Sequence, residues 1–176
     1  MNLLSQQLWK YILTDILTEC KHLPAALAAG LLAGCLLLFF SRKKEKALVR
    51  ILFIVYTIML FIITILEREP GSRTRTSLTL FETLGSPRAN AYVIENILLF
   101  IPFGFLGPKL WKCLRRLPAC ILAGFCLSLT VEIIQLVTGR GYFQVDDILT
   151  NSIGTGIGAV GGMVRFRRPD CRGQRM

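Results

Sequence analysis

Ionisable and amide side chains stand inside the apolar segments of this chain, where they are costly. In its second half, Glu132 and Gln135 lie in one apolar segment, Asp147 and Asn151 lie in the next, and Arg140 lies in the short connection. A charged side chain near the centre of a membrane-spanning helix costs roughly 2.5–3.5 kcal/mol on insertion scales. Such residues persist where they pair, face a cavity or bind a ligand, and carboxylates, amides and arginine forks can all hydrogen-bond polar ligand groups.

Helical spacing predicts that these residues share faces. At 100° per residue, Ser128, Glu132 and Gln135 lie within about 60° of one another. Asn151 shares a stripe with glycines spaced four residues apart over Gly154–Gly162, and glycines at that spacing let two helices approach closely. We expect the two segments to be antiparallel neighbours, with the glycine stripe bringing Asn151 towards Glu132 and Gln135.

The elements that must position these residues are predicted to be membrane-spanning helices. Of the 176 residues 53% are hydrophobic, and the mean hydropathy is +0.54. The apolar residues fall in blocks of about 20, which is the length that crosses ~30 Å of hydrocarbon. We therefore predict an all-α fold, a polytopic membrane helix bundle of about five transmembrane helices. The predicted spans are Leu23–Phe40, Ala47–Leu66, Ala91–Gly107, Leu117–Thr138 and Ile148–Phe166.

Residues 1–22 form a different kind of segment. A leucine or isoleucine recurs every fourth residue from Leu4 to Ile16, which is typical of an amphipathic helix lying on the membrane surface. A helix packed on the bundle is the alternative. We divide the chain into this N-terminal segment, a transmembrane bundle over residues 23–166 and a basic tail over residues 167–176.

The positive charge of the chain, formally +10, is concentrated between the predicted spans. The stretches 41–50, 108–116 and 165–175 hold 14 of the 21 Lys and Arg residues. Because basic residues favour the cytoplasmic side, we expect a multi-pass protein of the cell membrane with its N-terminus outside and its C-terminus in the cytoplasm. We expect membrane lipids as partners and no nucleic acid, since no recognition motif accompanies the charge.

Cysteine and histidine usage gives no metal-binding motif. The six cysteines include no CxxC pair, and His22 is the single histidine of the chain. Zinc sites are built from such clusters. We therefore predict no metal and no cofactor.

A third predicted span adds Asn96 and an interruption at Pro102 and Gly104. Proline removes a helical hydrogen bond, so we expect either a broken helix that frees backbone carbonyls within the bundle or a simple kink. Before this span, residues 67–90 carry Arg68 and an apolar patch. This segment is interpreted either as a lid over the polar residues or as a solvated loop.

Three polar stretches follow one another in a fixed order and spacing. They are Asn96-Ile-Leu-Leu-Phe-Ile-Pro-Phe-Gly-Phe, Ser128-x-x-x-Glu132-x-x-Gln135-x-x-x-Gly139-Arg140 and Asp147-x-x-x-Asn151-x-x-Gly154-x-x-x-Gly158. Over roughly residues 60–162 the chain resembles the VanZ-like family, bacterial membrane proteins named for a teicoplanin-resistance protein. Gln144 departs from the family's pattern, which commonly has an acidic residue there. The resemblance implies a cell-envelope protein and, for some members, lowered sensitivity to lipoglycopeptides, but it implies no particular reaction.

These residues are predicted to form a polar pocket at the outer-leaflet ends of the helices. We hypothesise that the pocket binds an amphiphile: a membrane lipid, a lipid-linked wall precursor or a lipoglycopeptide. The predicted ligand-binding residues are Arg68, Asn96, Glu132, Gln135, Arg140, Asp147 and Asn151.

Other functions are compatible with the same residues. The side chains could serve only to join the helices. An enzyme acting on a membrane-bound substrate would use Glu132 as an acid or base, with its pKa raised by apolar surroundings, but no nucleophile or phosphate-binding motif accompanies it, and no catalytic residue is assigned. A transporter subunit is a further alternative, although five spans without an inverted repeat fit a lone carrier poorly. The oligomeric state is not predicted.

Overall fold

The computed structural model describes residues 3–19, 21, 23–40, 47–66, 71, 76–77, 85–141 and 143–164. Over these residues the chain forms six α-helices. They are α1 (Leu3–Glu19), α2 (Leu23–Phe40), α3 (Ala47–Phe61), α4 (Pro87–Leu110), α5 (Leu117–Thr138) and α6 (Val145–Val164). A π-helical turn, Ile62–Leu66, extends α3, and a 3-10 turn, Lys112–Arg115, joins α4 to α5. The all-α prediction is confirmed, with one addition: β1 (Thr76–Ser77) pairs in parallel with β2 (Phe143–Gln144).

Local sequence signals explain where two of the central helices begin and end. At the start of α4, the Ser86 hydroxyl accepts a hydrogen bond from the Ala89 backbone N–H at 3.1 Å, and Pro87 occupies the first turn, where its missing N–H costs nothing. At the end of α5, Gly139 adopts a φ of 65°. This left-handed conformation suits glycine and ends the helix.

Helix α4 runs through both of its prolines, so of the two alternatives at Pro102 the broken helix is wrong. The helix is continuous from Pro87 to Leu110, with Pro102 and Pro108 inside it. Phe100 and Phe103 beside Pro102 are buried. Packing of this region against neighbouring helices holds the helix together despite the lost hydrogen bond.

The glycine stripe of α6 packs against α4. A Cβ atom at Gly154 would overlap the carbonyl oxygen of Ile97, and one at Gly158 would overlap that of Ile101. Because contacts advance along both helices in the same direction, α4 and α6 run parallel. The close-packing role predicted for the stripe is confirmed, but the expected partner, α5, is wrong.

Helix α5 packs on another face of α6 in the antiparallel direction, as predicted. Gly124 of α5 lies against the Thr155 side chain, and Ser128, one turn later, meets Asn151, one turn earlier on α6. Thr155 is fully buried. Helices α4, α5 and α6 therefore form the core that positions the polar residues.

Three of the helices in the described part of the chain are long and apolar enough to cross a membrane. They are Ala47–Leu66, Pro87–Leu110 and Leu117–Thr138, and the first and third have the predicted bounds. The described apolar run in α2 is shorter, Pro24–Ala33, and α6 carries two carboxylates in its first turn. Spans formed by α2 and α6 therefore remain predictions, as does the total of five.

Helix α1 contacts the beginning of α4. The Arg88 guanidinium is 3.0 Å from the Asp15 carboxylate and lies over the rings of Tyr11 and Tyr92, with its Cζ 5.1 and 4.8 Å from their centroids. Ile12 is 2% exposed. These contacts fit a helix packed on the bundle, and a position at the membrane surface remains a prediction.

Candidate functional site

The predicted polar residues lie at one end of the bundle. Glu132 and Gln135 belong to the last turns of α5, and Arg140 follows its C-terminus. Asp147 opens α6, and Asn151 lies one turn further along it. This end also contains the final turn of α3, because α3 runs in the same direction as α5. We define the polar cluster as Asn96 of α4 with Glu132, Gln135, Arg140, Asp147 and Asn151.

The carboxylate of Glu132 holds the connection between α5 and α6. Its side chain is 2% exposed, and its Oε2 accepts a hydrogen bond of 3.0 Å from the backbone N–H of Gln144. Hydrogen bonds to a charged acceptor are stronger than neutral ones. Because the donor is a backbone N–H, the departure from the family's pattern at Gln144 leaves this contact intact.

Part of the segment interpreted as a lid or as a solvated loop contacts the same connection. Thr76 and Ser77 of β1 pair with Phe143 and Gln144 of β2, and a Cβ atom at Gly139 would lie 3.2 Å from the backbone of Gly71. Residues before α4 therefore contact the α5–α6 connection directly beside the polar cluster. Within the segment 67–90, residues 67–70, 72–75 and 78–84 lie outside the described residues.

The side chains of Gln135 and Arg140 donate hydrogen bonds to the last carbonyl oxygens of the π-helical turn that extends α3. The Gln135 Nε2 donates to the Thr64 carbonyl oxygen at 2.9 Å. One Arg140 nitrogen, Nη1, donates to the Ile65 carbonyl oxygen at 3.0 Å and to that of Leu66 at 3.4 Å. The last carbonyls of a helix have no partner within it, so side chains of the α5 end supply one. This geometry supports a structural role for these two donor groups.

Two amide–side-chain pairs join α6 to its neighbours. The Asn96 Nδ2 donates to Asp147 Oδ1 at 2.8 Å, which connects α4 to α6. The Asn151 Nδ2 donates to Ser128 Oγ at 2.8 Å, which connects α6 to α5. The first pair is partly exposed and the second is buried. The cluster therefore extends from an open rim to a closed interior.

This interior contains two buried acceptor atoms, one on Gln135 and one on Asn151. Gln135 is 1% exposed and Asn151 is 5% exposed. Gln135 Oε1 and Asn151 Oδ1 accept no hydrogen bond from the described residues. Leaving a buried polar atom unpaired costs roughly 1–3 kcal/mol. Each amide therefore donates to the protein through its nitrogen, while its oxygen is buried without a hydrogen bond from the described residues.

Six of the seven predicted site residues lie in the polar cluster. The seventh, Arg68, lies outside the described residues. Hydrogen bonds join each of the six to a neighbouring element, so the structure brings them to the same end of the bundle. Sequence reasoning placed Ser128 on the polar stripe of α5 but left it out of the site, although its hydroxyl is the partner of Asn151.

The backbone carbonyls of α3 were also missed. The apolar sequence of the π-helical turn, Ile62–Leu66, gives no signal of such a turn. Thr155 was missed as well, although small residues facing it, Gly104 and Gly124, were available as a signal. Both omissions arise because the spacing of residues along one helix does not specify which neighbouring element each face contacts.

Comparison with known proteins identifies relatives of this chain. Residues 48–166 match the family model described as VanZ/LLP1, a longer region than the resemblance in the motifs alone. The chain is 37% identical over 82 residues to "Protein VanZ" of Enterococcus faecium. That alignment covers 47% of this chain and 48% of the relative, so the chain spans about half of the relative's length. No solved structure matches the chain.

Proposed function

The chain belongs to the VanZ/LLP1 family, and from this premise we propose that its polar cluster binds the head group of a membrane amphiphile. The candidate ligands are a membrane lipid, a lipid-linked wall precursor and a lipoglycopeptide. The observation that carries the proposal is the pair of buried acceptors, Gln135 Oε1 and Asn151 Oδ1, which have no donor among the described residues.

The two acceptors select the chemistry of the ligand. The amide nitrogens of Gln135 and Asn151 each donate one hydrogen bond, to the Thr64 carbonyl oxygen and the Ser128 hydroxyl. A ligand that meets the remaining oxygens must therefore bring hydrogen-bond donors, such as hydroxyl, amide or ammonium groups. Sugar, glycerol and peptide head groups satisfy this requirement, whereas a bare phosphate ester without donors does not.

On this proposal, such a ligand enters the polar cluster at its partly exposed rim. Asn96, Arg140 and Asp147 are only partly buried, so the cluster is open at the rim and closed inside. In the predicted orientation this rim faces the outer leaflet, where lipid-linked wall precursors and lipoglycopeptides are found. On this proposal, occupation of the cluster lowers the sensitivity of the cell to teicoplanin.

A pair of variants separates ligand binding from helix joining. Asn151→Ala and Ser128→Ala both break the Asn151–Ser128 hydrogen bond, but only Asn151→Ala removes the acceptor Oδ1. We expect native mass spectrometry of the purified protein to show co-purifying lipid with Ser128→Ala and a strong loss with Asn151→Ala. Teicoplanin tolerance of cells that express each variant should change in the same order.

Both variants must first be shown to fold and to reach wild-type abundance in the membrane. If the folded Asn151→Ala and Ser128→Ala proteins retain lipid and tolerance equally, the asparagine oxygen does not bind a ligand. The polar cluster would then serve to join the helices, and the proposal would be wrong.

A further inference from the structure

A basic patch lies at the end of the bundle opposite the polar cluster. Ring contact between Phe53 of α3 and Trp111, with centroids 5.0 Å apart, places the start of α3 beside the turn that joins α4 to α5. Three helices and the turn therefore bring cationic side chains to one place. We define the basic patch as Arg50, Lys109, Lys112, Arg115 and Arg116.

The elements that build the patch carry no carboxylate near it. The chain has no Asp or Glu between Glu95 and Glu132, and α3 has none along its whole length. Lys112, Arg115 and Arg116 are exposed. Charges of one sign that lie close together produce a local potential that attracts the opposite sign. The patch is therefore suited to an anionic partner.

Two of the cationic groups are held against the end of α4. The Lys109 Nζ lies 3.2 Å from the centroid of the Phe105 ring, a contact that is favourable for a cation. The Arg115 Nε donates to the Pro108 carbonyl oxygen at 3.4 Å. Side chains that are already positioned lose less conformational freedom when a ligand binds. Part of the patch is therefore arranged before an anion arrives.

The depth of the patch indicates the source of the anion. Among the described residues, the three helices that are long and apolar enough to cross a membrane each have one end here, at Ala47, Leu110 and Leu117. Hydrocarbon gives way to head groups at the ends of such helices. Trp111 is 44% exposed, and tryptophan is enriched at that boundary. Phospholipid phosphate groups lie at the same depth.

We propose that the basic patch binds the phosphate group of an anionic phospholipid such as phosphatidylglycerol. Arginine can hold a phosphate through two parallel N–H···O bonds, and lysine acts on it as a point charge. The patch takes an anion, whereas the polar cluster at the other end takes hydrogen-bond donors. Neither proposal therefore rests on the other.

The two tryptophans of the chain allow bound lipid to be measured at each site. Trp111 lies beside the basic patch, whereas Trp9 belongs to α1, which contacts the beginning of α4 through Arg88. The purified full chain is placed in vesicles of equal parts phosphatidylglycerol and phosphatidylcholine, with bromine on the acyl chains of one lipid or the other. Because both leaflets contain both lipids, the result does not depend on the orientation of the protein.

Bromine quenches the fluorescence of a nearby tryptophan. In a Trp9→Phe protein, we expect the quenching of Trp111 to show a several-fold preference for phosphatidylglycerol over phosphatidylcholine. In a Trp111→Phe protein, which keeps an aromatic ring in the patch, Trp9 should show no such preference. Equal quenching of Trp111 by the two lipids would overturn the inference. The same preference at Trp9 would also overturn it, because phosphatidylglycerol would then be enriched all around the chain.

Two double variants, made in the Trp9→Phe protein, test whether the charge of the patch causes the preference. Lys112→Gln with Arg116→Gln removes two charges and should remove most of the preference, because each basic residue near a membrane surface adds to the attraction of anionic lipid. Lys112→Arg with Arg116→Lys keeps both charges and should keep the preference. A preference that survives the loss of both charges would contradict the proposal.

Salt gives the same test without a change to the patch, and it replaces the glutamine variant if that protein does not fold. Exposed charges are screened by salt, so the preference of Trp111 for phosphatidylglycerol should fall several-fold between low and high salt. A preference of equal size in both conditions would show that charge does not bind the lipid, and the basic patch would not be its site.

Discussion

At the scale of single residues, the polar cluster contains donor nitrogens that are bonded to the protein and buried acceptor oxygens that are not bonded to the described residues. One nitrogen of each of four cluster residues donates to an oxygen on a neighbouring element: Asn96, Gln135, Arg140 and Asn151. These bonds explain why such costly residues are tolerated in apolar helices. The oxygens of the two buried amides, Gln135 and Asn151, receive no hydrogen bond from the described residues.

Glu132 provides a residue-scale prediction about the α5–α6 connection. Glu132→Ala removes the acceptor for the Gln144 N–H, and the lost buried hydrogen bond should lower the free energy of unfolding by roughly 1–3 kcal/mol. Glu132→Gln keeps an acceptor oxygen at the same position, so we expect a smaller loss. Thermal unfolding in detergent compares the two variants, and equal destabilisation would show that the charge of Glu132, not its acceptor, holds the connection.

At the scale of elements, the parallel contact between α4 and α6 depends on missing side chains. Gly154 and Gly158 let the α6 backbone meet the carbonyl oxygens of α4. Close backbone approach is a common way for membrane helices to associate, since the surrounding lipid supplies no hydrophobic drive. This contact fixes the rotation of α6 and so directs Asn151 towards α5.

Two glycines of α6 give opposite predictions for the same substitution. Gly158→Ala places a methyl group against the Ile101 carbonyl and should cost about 1–3 kcal/mol through overpacking. Gly161→Ala meets nothing within 4 Å and should stabilise the helix by roughly 0.5–1 kcal/mol. Unfolding of both proteins under one detergent condition measures the difference. Similar stabilities would contradict the close α4–α6 contact.

The end of α3 gives a second element-scale prediction. Gln135→Met removes the side-chain donor to the Thr64 carbonyl while keeping a similar length. We expect the π-helical turn, Ile62–Leu66, to open more often, because its carbonyls lose a partner. Hydrogen exchange at the amides of this turn should become several-fold faster. Ile133→Met, an exposed change on the same helix, is the control and should leave the exchange unchanged.

At the scale of the whole molecule, the polar cluster and the basic 3-10 turn lie at opposite ends of α5. This helix has 22 residues, or ~33 Å at 1.5 Å per residue, enough to cross a bilayer core. The excess of Lys and Arg around the turn predicts that it lies in the cytoplasm. The polar cluster would then face the outside of the cell.

Cysteine labelling tests this orientation. Cys113 is an exposed thiol in the turn, and Thr138 is exposed at the other end of α5. In variants with a single cysteine, we expect a membrane-impermeant maleimide to label Thr138→Cys in intact cells and Cys113 only after permeabilisation. The reverse pattern would place the polar cluster in the cytoplasm and remove the outer-leaflet function.

The sequence alone determined the helices and the faces on which their polar residues stand. Apolar length, caps and spacing are local properties, so α3 with its π-helical turn and α5 have the predicted ends, and Ser128, Glu132 and Gln135 are all buried on one face of α5. The order of the three polar stretches also indicated the family that residues 48–166 match.

Only the tertiary structure decided which element lies opposite each face. The glycine stripe met α4 instead of α5, α4 stayed continuous through Pro102, and the π-helical turn offered its carbonyls to Gln135 and Arg140. Each outcome depends on how whole helices share the interior, because a side chain's partner is set by the rotation and direction of a neighbouring helix. Spacing within one helix carries no information about either.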